Sequence, residues 1–201
     1  STCYAQRAGQ EIAVERGVSI ALANARSASI SNIQYQLHFT IPAEQTASVR
    51  STESIDFELN KLYRLQIDFK QNADHLKTIT VNKKAITTDF KDEHILIDQK
   101  YLKLGKNRIE IGFIAGNESL NRNKDFLYAL FVPDHARTVF PCFDQPDLKA
   151  DFLLSLTVPT NWKVMANAAK KDSIVMNNTI TYRFNRSDKL PTYLFSFTAG
   201  K

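Results

Sequence analysis

Four histidines, two cysteines, six glycines and one tryptophan are all that this 201-residue chain offers of the residue types that build most compact active sites. A catalytic zinc ion needs three converging protein ligands, and the usual sequence device is two histidines one helical turn apart with a glutamate between them. His38, His75, His94 and His135 are dispersed, no H-E-x-x-H occurs, and each reads as a surface or strand residue. The chain lacks the G-x-S-x-G nucleophile elbow and the G-x-x-x-x-G-K loop that cradles phosphates. Two cysteines cannot make a disulfide framework, and Cys3 and Cys142 are not expected to pair. Cys142 lies in the apolar run Val139-Phe140-Pro141-Cys142-Phe143 with no flanking histidine, so it reads as a buried structural thiol and not a nucleophile. Asp89, Asp92 and Glu93 gather near His94, a polar turn whose acids are expected to be solvated. No catalytic and no metal-ligating residue is assigned.

Long apolar runs are missing as well. Nothing approaches the roughly 20 residues that cross a bilayer, so no transmembrane segment is expected. The 26 Lys and Arg against 21 Asp and Glu leave a net charge of +5, scattered along the chain and not massed in one run. That distribution favours solubility over nucleic-acid binding. The opening Ser1-Thr2-Cys3-Tyr4-Ala5 reads in one of two ways. It is the end of a cleaved secretory signal with Ala5 before the cut, implying export to a periplasm or cell envelope, or it is an arbitrary start in a cytoplasmic protein.

What the chain does have is apolar material with a clear period. Its hydrophobic fraction is 43%, with 13 Phe and 7 Tyr, enough to build a core of its own. Residues 10–28 are the one helix-like stretch, with Ile12, Val18, Ala21, Leu22 and Ala25 at helical spacing around Gly17. From Ile33 the period becomes two: Ile33, Tyr35, Leu37, Phe39 and Ile41 share a face, and Pro42 ends the run. The same alternation predicts strands at Ile55–Leu59, Leu65–Phe69, Leu76–Val81, Ile95–Ile97, Ile109–Phe113, Phe152–Val158, Ile180–Phe184 and Tyr193–Phe197, with a hairpin turn at Asn177-Asn178. About ten short strands with polar turns imply an all-β sandwich of antiparallel and mixed sheets with a short N-terminal helix. Residues 1–28 divide off as a partly helical extension and residues 29–201 as the β-domain.

The segment from Leu130 to Phe152, LFVPDHARTVFPCFDQPDLKADF, carries Ala136, Arg137, Phe140, Pro141, Cys142, Phe143, Asp144, Pro146, Lys149 and Ala150 at the spacing of a long signature. It resembles the N-terminal domain of the aminopeptidase N family of zinc metallopeptidases, with Gln145 where a glutamate is usual. Val158-Pro159, Val164-Met165-Ala166-Asn167 and the stretch from Pro191 to Phe197 are similar to later strands of that domain. The resemblance implies a β-saddle packed on a thermolysin-like catalytic domain of the same chain. It further implies a parent enzyme that removes N-terminal residues from peptides with zinc-activated water, its ligands outside this sequence. The same resemblance places Leu130 and Val132 where many members carry Gln and Glu that hold the first residue of the substrate. An aliphatic pair cannot accept hydrogen bonds from an ammonium group, so only an apolar wall is offered there.

On physical grounds Pro141 and Pro146 fix φ around Phe143-Asp144, and Arg137 is expected to pair with Asp144 across a buried corner. The other class of reading is a stand-alone binding module, for carbohydrate or protein, built on aromatics such as Trp162, which is either exposed or tucked.

Overall fold

The computed structural model describes residues 11–87 and 89–201. One helix, α1 (Ile20–Ser29), precedes a run of strands. In chain order these are β1 (Ile30–Thr40), β2 (Arg50–Leu59), β3 (Leu65–Asp68), β4 (Leu76–Val81), β5 (Lys84–Ala85), β6 (Asp89–Lys91), β7 (His94–Ile97), β8 (Gly105–Ile114), β9 (Leu120–Arg122), β10 (Phe126–Ala129), β11 (Asp151–Pro159), β12 (Lys163–Ala166), β13 (Lys170–Met176), β14 (Thr179–Phe184) and β15 (Phe197–Gly200). Among the described residues they form an eight-stranded sheet in the order β13-β14-β11-β1-β2-β8-β4-β5, a four-stranded sheet β12-β15-β10-β9 and a three-stranded sheet β3-β7-β6. The all-β sandwich expected from the alternation is the fold that forms. Among the described residues no helix is long and apolar enough to cross a membrane.

The long first strand explains the architecture. Ile33, Tyr35, Leu37, Phe39 and Ile41 are buried in the core while their neighbours face out, as period two demands. Strand β1 pairs antiparallel with β2 and parallel with β11, the register running from Gln34↔Asp151 to Thr40↔Thr157. A bulge between Ser31 and Gln34 carries Asn32 at φ 52. Aromatic rings fill the space between the two larger sheets: Phe152 stacks on Phe195 at 4.4 Å and Tyr35 on Phe152 at 5.0 Å, with Phe140 edge-on to Tyr35 at 6.1 Å. Edge and offset contacts of this kind add to the stabilisation that area burial provides.

Two expectations need correction. The helix starts only at Ile20, not near residue 10, because Ser19 caps it, its hydroxyl accepting from the Leu22 N–H at 3.2 Å. Gly17 has φ +78 and lies before the helix, in a backbone conformation that stops it extending toward the N-terminus. The strand expected at Tyr193–Phe197 is a 3-10 turn at Thr192–Leu194, and β15 begins at Phe197. The Asn177-Asn178 turn is present, with Asn177 at φ 53 joining β13 to β14. Cys3 and the segment from Ser1 to Ala5 lie outside the described residues.

Candidate functional site

Strand β10 and the three residues after it keep one alternation. Leu127, Ala129 and Phe131 are buried, whereas Phe126, Tyr128, Leu130 and Val132 are 45%, 41%, 56% and 53% exposed. Tyr128 pairs with Thr198 of β15, which pairs with Met165 of β12, so the exposed Met165 extends the same face across the four-stranded sheet. Leu130 and Val132 therefore point to solvent and Phe131 into the aromatic core, edge-on to Phe140 at 5.8 Å.

The chain then turns through the signature corner, beginning with a cis Val132-Pro133 peptide and a 3-10 turn at Ala136–Thr138. Pro141, Cys142 and Phe143 are buried and Pro146 is exposed. Asp144 is the hub. Its carboxylate accepts from the Arg137 backbone N–H at 3.1 Å and from the Thr192 hydroxyl at 2.5 Å, and its own N–H donates to Asp68 Oδ2 at 2.8 Å. Burial pushes the Asp144 carboxyl up, against the pull of those donors. The expected Arg137–Asp144 side-chain pair is not made: the Arg137 guanidinium turns instead to Asp134 at 3.0 Å and Glu93 at 3.6 Å. The backbone N–H is the shorter reach to a carboxylate already buried beneath it. Cys142 exchanges both backbone hydrogen bonds with Asp68, at 2.9 and 3.0 Å, and burial raises its thiol well above the usual range.

Beneath the corner lies a group that no local pattern announces. Asp68, fully buried, accepts from Arg26 Nη1 at 2.8 Å and Nη2 at 2.5 Å, while Nη2 also donates to the Gln66 carbonyl. The His94 ring is as deeply buried, with Nε2 3.0 Å from Asp68 Oδ1 and Nδ1 2.8 Å from the Asp92 carbonyl, so each ring nitrogen faces an acceptor. His94 is thus a core residue, and the acids beside it are not merely solvated: Glu93 serves Arg137 and Asp89 pairs with Arg64 at 2.9 Å. Arg26 also sits over the Phe143 ring, 5.3 Å from its centroid. Gln145, where glutamate is usual, donates its amide to the Ala23 carbonyl at 3.2 Å and to Ser27 and Asp147 at 3.1 and 3.0 Å. A carboxylate could not donate to that carbonyl; the glutamine fastens α1 to the corner. Arg26 stands on the α1 face shared with Leu22 and Ser29, and a cation on a buried helical face is the one signal that implied an acidic partner.

A second buried acid has no hydrogen-bond partner among the described residues. Glu53 lies on the core side of β2 between Leu37 and Ile111, 4% exposed, and neither carboxyl oxygen is hydrogen bonded. Burial raises its pKa well above the usual range, and Tyr35 and Cys142 are close enough to feel its charge. A raised folded pKa means that the stability tied to this proton is fully present below the unfolded value near 4.5 and is lost as pH rises from there through the folded pKa. Glu53→Leu is expected to gain about 1 to 3 kcal/mol at neutral pH, the usual cost of an unsatisfied buried polar group, and to flatten that slope. Urea denaturation at pH 5 and pH 8 checks this; a variant no more stable than the parent at pH 8 would rule it out.

Zinc requires three converging donors, and among the described residues no three His, Cys, Asp or Glu side chains converge to hold a metal. These residues do not fit a zinc site. Trp162 is tucked, only 2% exposed, with its backbone N–H donating to the Pro159 carbonyl and its backbone carbonyl accepting from the Tyr182 hydroxyl, so the buried ring offers no aromatic platform.

Comparison with known proteins bears on this geometry. The profile described as Peptidase M1 N-terminal domain matches residues 18–194. The chain is 40% identical over 74 residues to "Probable M1 family aminopeptidase 2" of Encephalitozoon cuniculi (strain GB-M1), spanning 35% of this chain and 8% of that protein. It is 32% identical over 104 residues to "Aminopeptidase M1" of Arabidopsis thaliana, spanning 49% of this chain and 12% of that one. An M1 zinc metallopeptidase from Deinococcus radiodurans superposes with a TM-score of 0.71 at 18% identity, over 86% of this chain and 42% of its own. A mutant of that enzyme bound to a Tyr-Ser-Ala substrate superposes with a TM-score of 0.72. The chain thus covers a minor part of each relative, and from residue 18 to residue 194 it belongs to the Peptidase M1 N-terminal domain family.

Proposed function

We propose that this chain is the non-catalytic N-terminal part of a zinc-dependent aminopeptidase that removes N-terminal residues from peptides. Its β-domain, residues 29–201, docks on a thermolysin-like catalytic domain of the same polypeptide, and residues 1–28 are an extension whose helix α1 is tied down through Arg26. The observation that carries this reading is the row Phe126, Tyr128, Leu130 and Val132, four exposed apolar side chains on one side of β10 and the residues after it, whose other side packs Leu127, Ala129 and Phe131 into the core. Monomeric surfaces rarely leave such a stripe open, and a covering domain removes it from water. Zinc and the reacting groups belong to that other domain. Supporting the reading are relatives named as aminopeptidases and folds named as zinc metallopeptidases.

The test is to assay aminoacyl reporter substrates with the complete polypeptide that contains residues 1–201, and with these residues alone. Chelator-sensitive hydrolysis is expected of the complete polypeptide. Residues 1–201 alone are expected to be inactive and to carry no stoichiometric zinc, and hydrolysis by them overturns the reading. Leu130 and Val132 are further proposed to line the cleft beside the substrate's first residue as an apolar wall. In the complete enzyme Val132→Glu is then expected to lower KM for free-amine peptides about tenfold, the equivalent of about 1.4 kcal/mol, by giving the ammonium group a carboxylate. Peptides with an acetylated N-terminus should be unaffected. An equal change for both kinds of peptide, or none, would remove Val132 from the cleft.

A further inference from the structure

One end of the eight-stranded sheet gathers the connections that enter β8 and leave β2 and β4. Gly105, the first residue of β8, pairs with Leu59, the last of β2, and Ile109 pairs with Val81, the last of β4. Residues 60–64, 82–83 and 98–104 therefore leave the sheet side by side, and Lys61, Leu62, Asp98 and Gln99 line a common cleft. We propose that this end of the molecule docks on an anionic lipid bilayer, Leu104 entering the interface and the lysines around it meeting the headgroups.

The charge at this end is of one sign. Lys61, Lys83, Lys84, Lys100 and Lys103 are all exposed. The acids nearby offset few of them: Asp98 lies 3.8 Å from Lys100, Glu58 stands opposite Lys106 in the register, and Glu11 and Asp89 hold Arg64. Lys61, Lys83 and Lys103 carry no ion pair among the described residues. Two ammonium groups even share one ring, Lys84 and Lys100 lying 5.3 and 5.0 Å from the centroid of Tyr101.

Apolar side chains stand inside that charge. Leu104 is 63% exposed next to Lys103, and Leu62 is 39% exposed next to Lys61. A lone exposed leucine is ordinary, but Leu104 is held out on a fixed base. Asn107 is 3% exposed; its Oδ1 accepts from the Lys103 N–H at 3.0 Å and its Nδ2 donates to the carbonyls of Lys103 and Gly105 at 2.7 and 2.9 Å. Asn82 Nδ2 donates to Asn107 Oδ1 and to the Tyr101 carbonyl, each at 2.9 Å, which locks the β4–β5 turn to this loop. In that two-residue turn Lys83 has φ 71, a position where glycine is favoured. A lysine kept there at a cost in backbone strain points to a use for its side chain.

The combination selects the partner. A nucleic acid is met by cations alone, whereas a leucine ringed by lysines, with a tyrosine at the rim, matches a bilayer surface that is anionic outside and apolar beneath. The apolar row from Phe126 to Val132 lies elsewhere: the Leu130 N–H donates to the Ser119 carbonyl, past the other end of β8. That strand's 10 residues span roughly 30 Å, so the lysine end stays open when the row is covered.

The experiment is sedimentation of the chain with phosphatidylcholine vesicles containing about 30% phosphatidylserine, beside vesicles of phosphatidylcholine alone. The chain is expected to sediment with the anionic vesicles only, and added salt should weaken the binding. Lys83→Gly, which relieves the strained turn and keeps the fold, should weaken it about fivefold, the equivalent of about 1 kcal/mol, and so should Lys103→Gln. Leu104→Ser should weaken vesicle binding by at least as much while leaving retention on heparin, which senses charge alone, unchanged. In Leu104→Trp the new indole should shift its emission to the blue on anionic vesicles, against the constant background of the buried Trp162. The proposal is overturned if anionic vesicles leave the chain in solution. It is equally overturned if Leu104→Ser binds them as the parent does, the result for a site that takes any polyanion, or if Phe126→Ser and not Leu104→Ser abolishes binding.

Discussion

Asp68→Asn is expected to cost about 3 to 5 kcal/mol of folding stability, the range for breaking a buried ion pair by removing one partner. The carboxylate takes both arms of Arg26, faces His94 and caps the Asp144 N–H, so the amide leaves the Arg26 charge buried without a counter-ion. Replacing Asp68 and Arg26 together with apolar residues should cost less than either single change, because no orphan charge remains. Chemical denaturation of the single and double variants measures both claims. The pH dependence provides a second readout. Burial by itself would raise the pKa of Asp68, but the Arg26 charge and the hydrogen bonds from His94 and Arg26 outweigh it and hold the pKa at about 2. A depressed folded pKa contributes stability that is present above the unfolded value near 3.8 and is lost as pH falls through about 2. The asparagine variant should lack that acid limb. If Asp68→Asn unfolds at the same denaturant concentration as the parent, the cluster contributes little.

Phe143→Ala is expected to cost a similar amount, about 3 to 5 kcal/mol, as for other buried aromatics truncated to alanine. Its ring is fully buried, edge-on to Phe57 at 5.7 Å and beneath the Arg26 guanidinium, and its N–H donates to the Tyr35 hydroxyl at 2.9 Å. Truncation opens a cavity between the corner and β2 and strips the cation of its ring. Cys142→Ala removes one sulfur from the same corner, whose link to Asp68 is made by backbone atoms, so it should cost less and keep the fold. Urea midpoints for the two variants give the comparison; a near-neutral Phe143→Ala would mean that the corner is open to solvent.

The long strands were legible because they bury one face, and a one-faced strand writes its exposure as alternate letters, whereas β3 and β7 are buried at every position. Ile33 to Ile41 and Ile109 to Phe113 are of the one-faced kind. The start of the helix was misread because Ile12 and Val18 mimic helical spacing, whereas Gly17 at positive φ and the Ser19 cap decide where it begins. The alternation of Leu130, Phe131 and Val132 was readable for the same reason as the strands. The ionic cluster was not: Arg26 and Asp68 are 42 residues apart on different elements, and a pair made by tertiary packing leaves no local trace. Asp144 was legible as a structural acid, but not its choice of the Arg137 backbone over the guanidinium, which depends on how far the corner is buried.

The parallel pairing of β1 with β11 also sets the order in which the chain is able to fold as it is made. His38 and its neighbour Ser155 are 117 residues apart. At the ribosome's pace of about 5 to 20 residues per second, β1 waits on the order of ten seconds for the strand that covers its second edge. During that time the edge of β1 is an open template for any other extended chain. The bulge at Asn32 interrupts the ladder with β2 and ends where the pairing with β11 begins, so the waiting edge from Gln34 to Thr40 is regular along its length.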